Sequence, residues 1–376
     1  MDTVKKSSPI PVSLLTGFLG SGKTTVLNHL VQQPLFRRTL VVINEFGAIS
    51  LDHLLVAHSN ETLIMEVGDG CICCAMRGDL AKVLKDITWR FSRNGVRNYD
   101  RVIIEATGLA DPAPILHTLM TDKNITAHYR LDAVVTTIDC IHAMDTLDHH
   151  PEAVKQAAVA DRIILTKSDL IDEQQRRTLQ QRLAILNPAA IQLLAVNGQV
   201  DGPSVFSANL FSIDQKTPDV VRWLNAEAFA GNPSDRYKYV RHGAAQTLYS
   251  SKRSIGKQPD INRHDDHILS YCFTFDEPID PELFENWLDL LMTVKGADIL
   301  RIKGIVNMKN RTRPVVIHGV QHIFHPPVEL TGWPSDDRRT RVVFITRNVP
   351  RSVIEDTFFA LNGCAALPAT PISGLR

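Results

Sequence analysis

The stretch PVSLLTGFLGSGKTTVLNHL, residues 11–30, narrows the fold more than any other part of the sequence. An apolar run reaches Gly17, a glycine-rich loop follows, and a helical pattern opens at Lys23. Gly17 to Thr24 fits G-x-x-x-x-G-K-S/T without a mismatch, and the strand–loop–helix context is what gives that pattern meaning. Gly17, Gly20 and Gly22 let the backbone curl until successive N–H groups face an anion, with Leu19, Ser21 and Thr25 in the same cradle. The helix start adds its positive end. Lys23 offers a point charge to the β- and γ-phosphates, and Thr24 offers a hydroxyl to Mg²⁺. A chance glycine turn before a helix is the competing reading, and the Lys–Thr pair argues against it.

The rest of the first 200 residues alternates short apolar runs with helical segments. The runs fall at 11–16, 40–43, 62–65, 101–105, 133–139, 162–166 and 190–196, and the helical stretches at 23–33, 78–92, 113–121, 151–159 and 172–186. Continuous apolar strands separated by helices predict a mainly parallel sheet with helices on both faces, the α/β fold of a P-loop NTPase domain. Beyond residue 266 strands outnumber helices, which predicts a smaller α+β C-terminal domain. The expected division is 1–210 for the nucleotide domain, 211–266 for a polar linker and 267–376 for the second domain.

Charge is balanced, with 41 Lys+Arg against 41 Asp+Glu. That gives no electrostatic pull toward nucleic acid or anionic membrane. No apolar run approaches the roughly 20 residues that span a bilayer. Clustered rather than scattered cysteines suit a reducing compartment. The expected location is cytoplasmic.

Three elements refine the nucleotide reading. TKSD, Thr166 to Asp169, stands at the end of an apolar strand and resembles the N/T-K-x-D element of GTPases. Asp169 there accepts two hydrogen bonds from guanine, while Lys167 lies along the base; adenine would leave the carboxylate unsatisfied. Glu105 ends the strand RVIIE, the arrangement in which a carboxylate helps hold Mg²⁺. Gly108, three residues on, is placed to approach the γ-phosphate through its N–H. NEFG, Asn44 to Gly47, falls where a switch loop is expected, and Glu45 is a candidate there.

The segment GCICC puts Cys71, Cys73 and Cys74 within four positions, in a chain with three other cysteines. Thiolates are strong zinc ligands, and an irregular loop eased by Gly68 and Gly70 would let three sulfurs share one ion. Vicinal thiols also serve redox chemistry, and small apolar residues at a strand end also serve as packing. From the residues alone all three readings stand. Cys140, Cys272 and Cys364 lie in apolar surroundings and read as core.

GFLGSGKTT, NEFG, GCICC, EATGLADP and TKSD, in this order, closely resemble the CobW family of P-loop GTPases. LRIKGIVNM, VVIHGVQHIFHPP and VVFIT look like that family's smaller C-terminal domain. The resemblance implies a GTP-hydrolysing metallochaperone or metal-insertase for zinc, with cobalt as the alternative. Its CxCC element, matched by Cys71, Cys73 and Cys74, would hold the ion near the switch loops. A client metalloprotein would receive the metal, and a second copy of the chain is a further expected partner. A GTP-dependent metal sensor with little turnover is the alternative. The chain departs from the pattern at Ala48 and Ile43, where relatives often carry acids, and keeps only His264 and His267 of an interdomain histidine stretch.

Overall fold

The computed structural model describes residues 9–43, 63–66, 78–90, 92–93, 96–206, 268–321, 323–324, 327–334 and 336–364. Seven strands build the first sheet: β1 (Ile10–Gly17), β2 (Thr39–Ile43), β3 (Leu63–Glu66), β4 (Arg101–Glu105), β5 (Tyr129–Asp139), β6 (Arg162–Thr166) and β7 (Ile191–Leu194). They lie in the order β3-β2-β4-β1-β5-β6-β7. Every neighbouring pair is parallel. β2 and β6 are buried at all five positions, as strands covered on both faces must be.

Side-chain alternation assigns the two faces. Val12, Leu14, Leu40 and Val42 join one core, while Leu15, Val41 and Ile43 join the other. Six principal helices cover these faces: α1 (Lys23–Val31), α2 (Gly78–Arg90), α3 (Ala113–Thr121), α4 (Ala143–His149), α5 (Pro151–Ala158) and α6 (Glu173–Leu186). α6 starts on a reciprocal cap, in which Asp172 accepts from the Gln175 N–H at 2.7 Å and Gln175 Oε1 accepts from the Asp172 N–H at 3.0 Å. β5 begins four residues earlier than the sequence suggests, because Tyr129 and Leu131 pair with Ile10 and Val12. Helix α4 carries no strong sequence signal and is an addition to the expected elements.

The second sheet is antiparallel. Its strands β8 (Ile268–Phe275), β9 (Ile299–Val306), β10 (Val315–Val320), β11 (Ile323–Phe324) and β12 (Thr340–Arg347) lie in the order β8-β12-β9-β10-β11. The short strand Val328–Glu329 also pairs with β10. Helices α7 (Pro281–Lys295) and α8 (Arg351–Cys364) supply an aromatic core. Trp287 meets the Phe358 ring at 5.0 Å and the Phe344 ring at 5.8 Å, both edge-on. The Trp287 indole also donates to Thr357 Oγ1 at 3.1 Å, which satisfies its buried N–H. The proposed linker and the boundary near residue 210 lie outside the described residues.

The two sheets share a core. Leu119, Met120, Ala158 and Val159 of the first half pack in one buried cluster with Leu300, Val320, Ile323 and Ile345 of the second. At its margin Asp161 accepts hydrogen bonds from Arg301, from Lys303 at 2.6 Å and from the Val134 N–H at 2.8 Å. Burial alone would raise the Asp161 carboxyl, but the Arg301 and Lys303 cations outweigh it and hold it well below the ordinary carboxylate range. Burial also pushes Lys303 down to about 8, against the opposing pull of Asp161. This joint lies where β6 begins, whereas TKSD lies where β6 ends.

Candidate functional site

The loop after β1 forms a cup at the edge of the sheet where the strands end. Ser21 N–H donates to the Phe18 carbonyl at 3.2 Å, and Lys23 Nζ bonds the carbonyls of Gly17 at 3.0 Å and Phe18 at 3.1 Å. Gly17 and Gly20 have positive φ, and Leu19 projects at 58% exposure. Gly22 precedes α1 at φ 87, a left-handed conformation that a side chain disfavours. α1 therefore starts at the rim of the cup, the end at which a helix presents its N–H groups.

Beside the cup, Thr24 Oγ1 donates to Glu105 Oε1 at 3.1 Å. Glu105 is only 3% exposed. A hydroxyl and a carboxylate brought together at a helix N-terminus form a hard oxygen donor pair, which fits Mg²⁺ rather than a thiophilic metal.

The TKSD element closes the opposite wall. Thr166 donates to the Ser21 carbonyl at 2.8 Å, fastening β6 to the cup. Lys167 adopts φ 55 and ion-pairs with Asp139 at 2.7 Å. Asp169 stands exposed in the 3₁₀ turn Ser168–Leu170. Ser168 Oγ donates to the Ala195 carbonyl at 3.2 Å, which draws in the turn Val196–Gln199.

The motifs of the sequence do not include that turn. Asn197 and Gly198 both have positive φ. A Cβ on Gly198 would lie 2.7 Å from Thr25 Cγ2, so the turn presses against α1 beside the cup. The Asn-Gly dipeptide was the available signal.

The third wall is the loop after β4. A Cβ on Gly108 would lie 2.7 Å from the Leu19 backbone nitrogen and 2.9 Å from its Cα. Only glycine permits this approach of two backbones. Gly108→Ala is therefore expected to destabilise the chain by about 1–3 kcal/mol, the usual cost of overpacking. Calorimetric melting would show it as a lowered transition; an unshifted melt would mean that the two loops separate at no cost. Behind the cup lies a cavity of about 450 Å³ whose lining includes Ser21, Thr137, Asp139, His142, Gln156 and Lys167. His150 stacks on Phe18 there at 4.4 Å.

Cys71, Cys73, Cys74, Asn44 to Gly47, Ala48, His264 and His267 lie outside the described residues. Among the described residues, no three His, Cys, Asp or Glu side chains gather to hold a metal. Ile43 ends β2 in the core. Cys140 is buried, and burial pushes its thiol up to about 11, which suits a packing residue rather than a ligand. Cys272 is half-buried, and burial raises its thiol as well. His318 is buried on β10 near the Asp161 joint. Among the described residues no helix is long and apolar enough to cross a membrane.

A glycine-lysine loop on a strand of a parallel sheet, with an acid closing the adjacent strand, defines the P-loop NTPase class. The nucleotide-binding domain of the CobW/HypB/UreG family matches residues 11–193, and the cobalamin synthesis protein CobW C-terminal domain matches residues 268–362. The chain belongs to the CobW family of P-loop GTPases.

It is 32% identical over 367 residues to zinc-regulated GTPase metalloprotein activator 1 of Schizosaccharomyces pombe, covering 91% of this chain and 84% of that protein. It is 28% identical over 354 residues to zinc chaperone YjiA of Escherichia coli, covering 94% of this chain and 99% of that protein. The crystal structure of Zn(II)-bound YjiA GTPase from E. coli shares the fold, with a TM-score of 0.66 at 24% identity over 94% of this chain and 99% of that one.

Proposed function

We propose that the chain is a GTP-hydrolysing metallochaperone that binds zinc, with cobalt as the alternative, and delivers it to a client metalloprotein. The observation that carries the nucleotide half is the Thr24–Glu105 contact at 3.1 Å beside the Lys23 loop. Gly17, Leu19, Gly20, Ser21, Gly22, Lys23, Thr24 and Thr25 bind the phosphates through loop N–H groups and the lysine charge. Thr166 holds the wall, while Lys167 and Asp169 read guanine. The exposed Asp169 carboxylate is open to the paired N–H donors of that base. Thr24 and Glu105 would hold Mg²⁺, which supplies charge neutralisation to the phosphates. Gly108 faces the γ-phosphate and senses its removal.

The metal half rests on sequence and kinship. Cys71, Cys73 and Cys74 offer three thiolates, and three ligands leave a position open for exchange with a client. The relatives named as zinc chaperone and as zinc-regulated activator support zinc as the cargo. Closure of the switch on the γ-phosphate arranges the thiolates; hydrolysis relaxes the switch and lowers metal affinity. A second copy of the chain is a further partner in this reading.

Calorimetric zinc titration separates the states. With a non-hydrolysable GTP analogue the affinity is expected to exceed that with GDP by about 5–150-fold, the ordinary range of coupling between sites. Equal affinities would sink the proposal, because a nucleotide indifferent to the metal cannot drive its release.

A further inference from the structure

Gln156 lies in the last turn of α5 with no exposed surface. Its side-chain amide reaches the loop after β4, donating to the carbonyls of Gly108 at 3.1 Å and Ala110 at 3.0 Å. Two carbonyl acceptors fix the amide's orientation, since only its NH₂ end satisfies both. The loop is itself a turn, closed by the Ala110 N–H on the Thr107 carbonyl at 3.1 Å. Its central peptide joins Gly108 to Leu109, and the orientation of that peptide is what distinguishes one turn type from another. By holding the Gly108 carbonyl, Gln156 sets that orientation and directs the Leu109 N–H to the opposite side.

Neighbouring contacts brace the same geometry. The Gln156 carbonyl accepts from Thr136 Oγ1 at 2.8 Å, fastening α5 to β5. Lys155 pairs with Asp111 Oδ2 at 3.0 Å, and Asp111 Oδ1 accepts from the Ala113 N–H at 3.0 Å at the start of α3. Leu19 meets Gly108 from the other side. Gln156 Oε1 is buried with no hydrogen-bond partner among the described residues. An apolar side chain of similar size would avoid that cost, so the two donated bonds are what the amide contributes.

We propose that Gln156 is a positioning residue of the nucleotide site. It holds the 107–110 turn so that the turn's N–H groups face the terminal phosphate of a nucleoside triphosphate, with Lys155 as a second strut. The role rests on the reading of this site as a GTP switch.

The test compares GDP with a non-hydrolysable GTP analogue, each with Mg²⁺, by calorimetry on the full chain. Gln156→Met is expected to weaken the analogue about tenfold, as one hydrogen bond to a charged group is worth, and to leave GDP within about twofold. A merely structural role would weaken both alike, and that result overturns the proposal. Lys155→Met, at a partly exposed strut, is expected to weaken the analogue alone by about two- to threefold, and it decides the matter should Gln156→Met fail to fold. A wild-type chain that prefers the analogue, with variants that keep the full preference, overturns the positioning role alone. A wild-type chain that binds both nucleotides equally overturns the switch reading and the positioning role with it.

Discussion

Replacing Asp161 by asparagine is expected to cost about 3–5 kcal/mol of stability, as removal of one partner from a buried ion cluster does. Arg301 and Lys303 are 1% and 6% exposed, and the substitution withdraws the counter-charge from both. At neutral pH all three groups are charged in the native chain. The Asp161 carboxyl sits below its ordinary value, so its contribution is complete above the unfolded carboxylate range, near 4, and is lost as pH falls through the folded value. The native chain is therefore expected to lose stability on acidification, and the Asp161→Asn chain to lose less.

The alkaline side has the same direction of slope, set this time by a depressed base rather than a depressed acid. Lys303 titrates at about 8 in the folded chain, below the roughly 10.4 of an unfolded lysine, so between those values the unfolded chain binds more protons and stability rises with pH. Without Asp161 the lysine loses its proton more readily, so the deficit of the variant shrinks as pH rises toward about 8 and stays level above it. Urea melts at neutral, acid and alkaline pH measure all of this. A deficit below about 1 kcal/mol at neutral pH would mean that water reaches the joint and screens it.

The second large effect concerns the base. Asp169→Asn is expected to weaken GTP binding by roughly a hundredfold or more, because two hydrogen bonds to a charged acceptor disappear. The asparagine amide presents one donor and one acceptor, which matches a 2-oxo purine better than a 2-amino purine. Xanthosine triphosphate is therefore expected to gain affinity for the variant while GTP loses it. Fluorescent-nucleotide competition reads both at once. If GTP affinity is unchanged, or if the wild-type chain prefers ATP, the carboxylate does not read guanine.

The cup was legible in the sequence because its parts are local. Gly17 to Thr24 carry their geometry within one strand–loop–helix unit, and β2, β4 and β6 carry theirs in uninterrupted apolar runs. TKSD was legible because it ends such a run. What escaped depends on contacts between distant positions, which impose no period on the chain. Gln156 reaches Gly108 across 48 positions, and Arg301 reaches Asp161 across 140. The Asn197–Gly198 turn gave a local signal, yet its place beside Thr25 follows only from the closing of the sheet. Charged residues within the apolar strand LRIKGIVNM show the limit well. Nothing local in that strand marks Arg301 and Lys303 as buried, yet both are, held against Asp161 of the first half.

The Asp161 joint also has a history in time. Its acid is synthesised 140 residues ahead of Arg301, an interval of roughly 7–28 s at about 5–20 residues per second. A first half folded without the second would hold a hydrated carboxylate next to an uncovered apolar face that includes Leu119, Met120 and Val159. Water satisfies the charge while the apolar face stays adhesive. In the finished chain β9 brings two cations to that carboxylate, and Leu300, Val320, Ile323 and Ile345 cover the face, so the second half completes both the charge and the apolar surface of the first.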